Sequence, residues 1–153
     1  MAAETRELAV FAWLPESETA GFHPAGLLRL TQRRGAPAAD AALASEFRYG
    51  LRYLTRPQAF EIDPVSLSLR DRAAVRGARL FPMNGLPEFG GIRDAAPDAW
   101  GRRVIEARRK VPANSLTEAD YLLEAGSDRV GALDVRASLD APAVPAASDL
   151  RSL

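Results

Sequence analysis

The sequence predicts an α+β domain: a small, curved, mostly antiparallel sheet with two or three helices packed at one side. Three observations point there. Leu8 to Leu14 (LAVFAWL) is almost wholly apolar and bounded by Pro15, the mark of a strand buried on both faces. Ala25 to Thr31 (AGLLRLT) fits as its hairpin partner across a polar turn over Pro15 to Glu18. Phe89 to Val135 then reads as two helices with start signals, a glycine stop and a short apolar strand.

Taken in order, the first strand carries Trp13, which is expected in the core. Residues 32–45 are rich in Ala and interrupted by Gly35 and Pro37; they form either a short helix over Ala38 to Ala44 or a loop. Ser45 to Tyr49 alternates as a strand with Phe47 and Tyr49 on one face. Leu51, Tyr53 and Leu54 suit a helical turn ended by Pro57. Ala59 to Ile62 and Val65 to Leu69 read as short extended segments broken at Asp63-Pro64, with Leu67 and Leu69 alternating against Ser66, Ser68 and Arg70. Ala73, Ala74 and Val75 permit a turn of helix that Gly77 ends, and Phe81 to Pro87 is a rigid loop of turn residues.

The first of the two main helices takes Asp94 or Asp98 as its cap, with Pro97 in a first turn that does not need its N–H. Trp100, Val104, Ala107 and Val111 recur at helical spacing as its apolar stripe, and Pro112 closes it. In the second, Ser115 with Glu118 is expected to form a capping box. Leu116, Ala119, Leu122 and Leu123 supply its buried side, and Tyr121 lies at the boundary. Gly126 suits a left-handed C-cap, and Ser127 to Arg129 turn the chain into a strand over Val130 to Val135. Beyond it, Ser138 to Ser148 is Ala and Pro with little to bury. The expected organisation is a domain over 1–136, then 137–153 as an Ala/Pro-rich linker or the truncated start of a following domain.

Composition narrows the function classes. A chain of 153 residues can bury one real core. Its twenty basic and twenty acidic residues cancel, so no global field draws it to nucleic acid or an anionic membrane. All basic residues except Lys110 are arginine, a skew consistent with coding bias. There is no cysteine, and one histidine, His23, stands alone; Cys/His metal clusters and Cys/His dyads are excluded. No signal-peptide or membrane-spanning run is evident, which makes the cytoplasm the expected location.

A resemblance runs through the same stretches. Gly90-Gly91-Ile92-Arg93-Asp94, Pro97-Asp98-Ala99-Trp100-Gly101-Arg102-Arg103, Asp120-Tyr121-Leu122-Leu123 and Gly126-Ser127-Asp128-Arg129-Val130-Gly131-Ala132-Leu133 resemble the N-terminal region of HipA-type serine/threonine kinase toxins. Phe47-Arg48-Tyr49, Tyr53-Leu54 and Pro64-Val65-Ser66-Leu67-Ser68-Leu69 are similar to that family in the same order, so the likeness spans residues 8–136. It implies the N-terminal subdomain of such a kinase, packed on a kinase core in the same or a separate chain. A DNA-binding antitoxin is implied as a partner through the complete assembly. The alternative implied by the same likeness is a fragment of the whole kinase whose catalytic part is missing.

The chain itself holds no set for phosphoryl transfer. It has no G-x-x-x-x-G-K-[ST] loop, no Asp-Gly-His-x-Lys-Asn segment, and a sole lysine behind two arginines. No catalytic, cofactor or metal residues are expected, and no direct contact with nucleic acid or membrane. Gly90-Gly91 reads as a tight strand-to-helix turn rather than an anion cradle. Asp94 with Asp98, and Asp120 with Glu124, read as caps and solvated faces rather than paired carboxylates. Trp100 either anchors its helix in the core, the commoner fate of tryptophan, or projects into a partner. Trp100, Arg93, Arg102 and Arg103 are the candidate partner-binding residues, because interfaces concentrate their energy in Trp and Arg.

Overall fold

The computed structural model describes residues 3–15, 21–125 and 132–141. Strands β1 (Ala3–Leu14), β2 (Gly21–Arg33), β3 (Ala42–Tyr49) and β4 (Leu133–Arg136) form one antiparallel sheet in the order β3-β2-β1-β4. Helical segments fill the connections: α1 (Ala38–Ala41), α2 (Leu51–Leu54), α3 (Arg72–Val75), α4 (Gly90–Ala95), α5 (Ala99–Arg109) and α6 (Glu118–Glu124), with a 3-10 turn over Met83–Gly85. The α+β expectation holds. The expected turn at 15–18 lies largely outside the described residues. So do the C-cap at Gly126, the turn at 127–129, the start of the last strand at 130–131, and the tail beyond residue 141.

Alternation along the strands sets the layers. Leu8, Val10, Ala12 and Leu14 of β1 join Leu28, Leu30, Phe47, Tyr49, Leu133 and Val135 on one face. Tyr53 and Leu54 of α2, Phe89, Ile92 of α4, and Ala119 and Leu122 of α6 cover that face. On the other face Ala9 and Phe11 are also buried, so the centre of β1 is enclosed on both sides as its apolar run predicts. Arg136 lies 3.9 Å from the Phe11 ring and bonds Asp134 at 2.8 Å, both residues coming from β4. Trp13 corrects the core expectation: it is 47% exposed, edge-on to Phe22. A register shift between Val10 and Phe11 leaves Ala25 unopposed between Gly26 and Pro24. Such a bulge tolerates Pro24, which has no N–H for the ladder and lies beyond the β2–β3 pairing that begins at Gly26.

The expected extended segments at 59–62 and 65–69 do not form strands; the backbone there is irregular, with bends and one turn over 64–66. Two buried tyrosines explain the difference. The Tyr49 hydroxyl donates to the Leu67 carbonyl at 2.6 Å and accepts from the Ile62 amide at 3.0 Å. The Tyr53 hydroxyl donates to the Phe60 carbonyl and accepts from the Phe60 amide. Arg72 donates to the carbonyls of Leu54 and Arg56, at 2.9 Å each. Side chains thus supply the partners that buried backbone requires and a neighbouring strand would otherwise give. Burial pushes the Tyr49 hydroxyl well above the usual range and raises that of Tyr53, so both remain donors.

The helical half departs from the sequence reading in register. The chain before Pro97 is extended, because a residue preceding proline avoids helical backbone, and this separates α4 from α5. Gly90-Gly91 opens α4 rather than making a turn, and neither residue has positive φ. What requires a glycine is proximity: a Cβ on Gly91 would lie 1.9 Å from the Ile62 carbonyl oxygen, whereas one on Gly90 meets nothing within 4 Å. Helix α5 ends at Lys110, in the left-handed conformation at φ 58°, before Pro112 is reached. The capping box of α6 is Thr117 with Asp120, not Ser115 with Glu118. Ser115 is spent on the Pro112 carbonyl at 2.7 Å, and Glu118 turns inward. Tyr121, placed at the boundary by its sequence, is fully buried.

The paired glycines give a direct test. Gly91→Ala should destabilise by about 1–3 kcal/mol, the usual cost of overpacking. Gly90→Ala should leave stability unchanged or raise it by up to about 1 kcal/mol, the helix-propensity gain. Urea melts of the two variants check the ordering; equal stability would contradict the close approach.

Candidate functional site

The candidate residues converge on the junction of α4, α5 and α6. Asp98 caps α5 by accepting from the Gly101 amide at 2.7 Å, which places Pro97 one residue before the cap and Trp100 in the first turn. Trp100 points outward at 72% exposure, so the core alternative is excluded. Arg103 follows on the same exposed face, one turn along. The inward face of α5 consists of Arg102, Ile105 and Glu106. The predicted stripe of Trp100, Val104, Ala107 and Val111 is therefore misplaced: Trp100 and Ala107 are exposed, and Val104 and Val111 only partly buried.

Charged side chains take interior positions on α5 because each finds a partner there. Arg102 meets the Glu118 carboxylate at 3.1 Å and reaches Asn114 Oδ1 at 3.4 Å. Its guanidinium lies 3.8 Å from the centre of the Tyr121 ring, a cation–π geometry. The Tyr121 hydroxyl donates to Glu106, which also accepts from the Asn114 amide at 2.7 Å. Ile105, Leu116 and Tyr121 close a small apolar cluster beside these groups. One turn further on, Arg108 pairs with Glu124 at 2.8 Å. The helix pair is thus held by three layers of contact, two of them ionic. With only 7% of its surface exposed, Arg102 is a structural residue; its expectation as a partner contact is corrected.

A cleft of about 350 Å³ opens at this junction, lined by Leu86, Glu88, Arg93, Pro97, Arg102 and Glu118 among others. Arg93 is exposed at its mouth, as is Leu86 at 57%. Burial pushes the Glu88 carboxyl up to about 7, assisted by the Glu118 charge and opposed by Arg93 and Arg102. Burial also raises Glu118, against the pull of Arg102. Glu106 goes the other way: burial would raise it, but the Tyr121 and Asn114 hydrogen bonds and the nearby arginines hold it below the usual range. Burial, with the Glu106 bond, pushes Tyr121 up to about 12. The Glu88 carboxyl of the cleft therefore changes charge near neutrality.

Of the four predicted residues, the structure sets Trp100 and Arg103 on one helix face, Arg93 at the cleft, and Arg102 beneath. Glu88, Glu118 and Leu86 were missed as site residues. Glu88 carries no sequence signal of its own, and Glu118 is disguised by the false capping box. Among the described residues no group of three His, Asp or Glu is arranged to hold a metal, and no helix is long and apolar enough to cross a membrane. Comparison with family models, curated proteins and solved structures finds no match to this chain.

Two outcomes are expected. Glu88 binds its proton more tightly folded than unfolded, so its contribution to stability falls as pH rises from about 4.5 to about 7 and is level above that. Glu88→Gln should accordingly be more stable than the parent at pH 8, the difference vanishing below pH 4.5; melts across that range check it. Arg102→Met should cost about 3–5 kcal/mol by stranding Glu118, whereas replacing both partners with apolar residues should cost clearly less. Denaturant titrations of the single and double variants measure the difference.

Proposed function

We propose that this chain is the non-catalytic N-terminal regulatory and scaffolding domain of a HipA-like serine/threonine kinase, bound to a kinase core in cis or in trans. The observation that carries this reading is Trp100. A tryptophan 72% exposed in the first turn of a helix leaves a large apolar surface in water, which burial against a partner would recover at about 25 cal/mol per Å². The helix that presents it is clamped from below by Arg102 and Glu118, so little ordering remains to oppose binding. Arg103 on the same face, and Arg93 and Leu86 at the adjoining cleft, give it the polar and apolar surround that interface anchors have.

In this reading the domain supplies no chemistry, in keeping with a sequence that encodes neither a nucleotide-binding loop nor the family's catalytic segment. It acts by holding or restraining the kinase core. A DNA-binding antitoxin is met through the complete assembly, and the setting is the cytoplasm.

The reading is tested by titrating the folded chain against a separately expressed HipA-type kinase core. Trp100→Ala should weaken association by at least about 30-fold, the effect of losing a hot spot worth about 2 kcal/mol. The melting curve should barely move, because the side chain touches little within the domain. An affinity unchanged in a folded variant removes Trp100 from the interface; no association of the parent chain overturns the proposal. Incubation with ATP and magnesium should give no autophosphorylation.

A further inference from the structure

We infer that a second cleft, at the far end of β2 and β3, binds a small organic anion with an apolar body, a carboxylate or a phosphate ester, through Arg48 and Arg52. The cleft has a volume of about 550 Å³, within the range of small-molecule sites, and shares no lining residue with the cleft at Glu88. Its walls are aliphatic. Pro24 and Leu27 come from β2, Leu51 from α2, and Leu139 from the segment after β4. Leu51 and Leu139 are 54% and 50% exposed, unusually open for leucines on opposite elements of one cavity.

The local fold dictates this arrangement. Helix α2 is a single turn that sends Tyr53 and Leu54 into the core, which leaves Leu51 and Arg52 facing outward. The tyrosines at the back of the cleft, Tyr49 and Tyr53, spend their hydroxyls on the backbone at 60–67. Polar recognition therefore falls to two cations, Arg48 and Arg52. No acidic side chain is among the residues lining the cleft, and among the described residues the Arg48 and Arg52 guanidinium groups have no ion-pair partner.

Six other arginines are instead spent on carboxylates inside the domain: Arg6, Arg34, Arg102, Arg108, Arg109 and Arg136. Arg52 also borders a neighbouring basic cleft with Arg72 and Arg76, so this face carries a local excess of positive charge. A guanidinium fork beside an apolar wall binds carboxylate or phosphate more strongly than one surrounded by water, because the wall lowers the local dielectric. Aliphatic walls, with no exposed aromatic face for stacking, suit an alkyl or alicyclic body better than a nucleobase.

The probes are decanoate and decyl phosphate, with decyltrimethylammonium as the cationic control, titrated calorimetrically into the full chain. At least one anion should bind saturably with one-to-one stoichiometry, and the cation at least tenfold more weakly. The Arg48→Ala/Arg52→Ala double variant should lose at least tenfold in anion affinity at an unchanged melting temperature, since both side chains are exposed. If that variant melts early, Arg52→Gln alone should still weaken binding several-fold. Decanoate binding without decyl phosphate assigns a carboxylate headgroup, and the reverse a phosphate. No saturable anion binding, equal binding of the cation, or a folded arginine variant that binds like the parent overturns the inference.

Discussion

Arg102 sits between the two longest helical stretches among the described residues, and its guanidinium is where they are joined. It meets the Glu118 carboxylate, the Asn114 side chain and the face of Tyr121 within one small volume. A buried ion pair is poor evidence of net stability, because desolvation consumes most of the Coulombic gain. What such a pair does impose is geometry. A rotation of α5 about its axis that exchanged Arg102 for Val104 or Arg103 would strand Glu118 without a partner. The pair therefore fixes which face of α5 looks outward, and with it the exposure of Trp100. The interface proposed at Trp100 rests on a constraint that lies wholly beneath the surface.

The same helices are tied to the sheet by polar groups as well as by apolar packing. The Ala119 amide in the first turn of α6 donates to Gln32 Oε1 at 2.8 Å, deep in the structure. Asp120, the reciprocal member of the capping box, also meets Arg6 of β1 at 2.9 Å. One amide left over at the helix start is thus satisfied from β2 and the capping carboxylate is paired from β1, which sets the helix at one height along the two central strands. At the opposite end of the sheet, Tyr49 and Tyr53 do the equivalent for irregular backbone. In both places a side chain from a regular element completes the hydrogen bonds of a less regular one, and this allows a four-stranded sheet to carry so many short helices.

The sheet was legible in the sequence for a simple reason: its strands bury apolar residues, so hydrophobic runs and alternation report burial faithfully. Leu8 to Leu14, Phe47 with Tyr49, and Leu133 with Val135 all lie where pattern alone puts them. Trp13 fails because the apolar run continues to a position that no described residue fully covers on its outer face, leaving it 47% exposed. On α5 the link between polarity and exposure is broken outright. Its interior carries Arg102 and Glu106, and its surface carries Trp100 and Ala107, so a reading by hydrophobicity turns the helix the wrong way. No local rule could correct it, since the partners that make buried charge acceptable, Glu118 and Tyr121, lie on another helix. The slip of the capping box from Thr117 to Ser115 has the same origin. Both are good caps, and only the inward demand for Glu118 decides between them. Gly91 was visible as a special residue, but its reason, the carbonyl of Ile62, is a tertiary fact.

The near-exclusive use of arginine, which composition alone suggested was an accident of coding, has structural consequences at specific sites. Arg72 holds two carbonyls at 2.9 Å with one nitrogen and approaches a third carbonyl with the other. Arg102 stacks on Tyr121 while its two terminal nitrogens point to different acceptors. Arg136 covers Phe11 and simultaneously bonds Asp134. Each arrangement uses a flat, multiply donating cation, and a lysine ammonium, a point charge with no face to stack, could satisfy only part of any of them. Arg48 and Arg52 share that geometry and have no carboxylate partner among the described residues; the apolar cleft beside them is what suits them to an anion from outside.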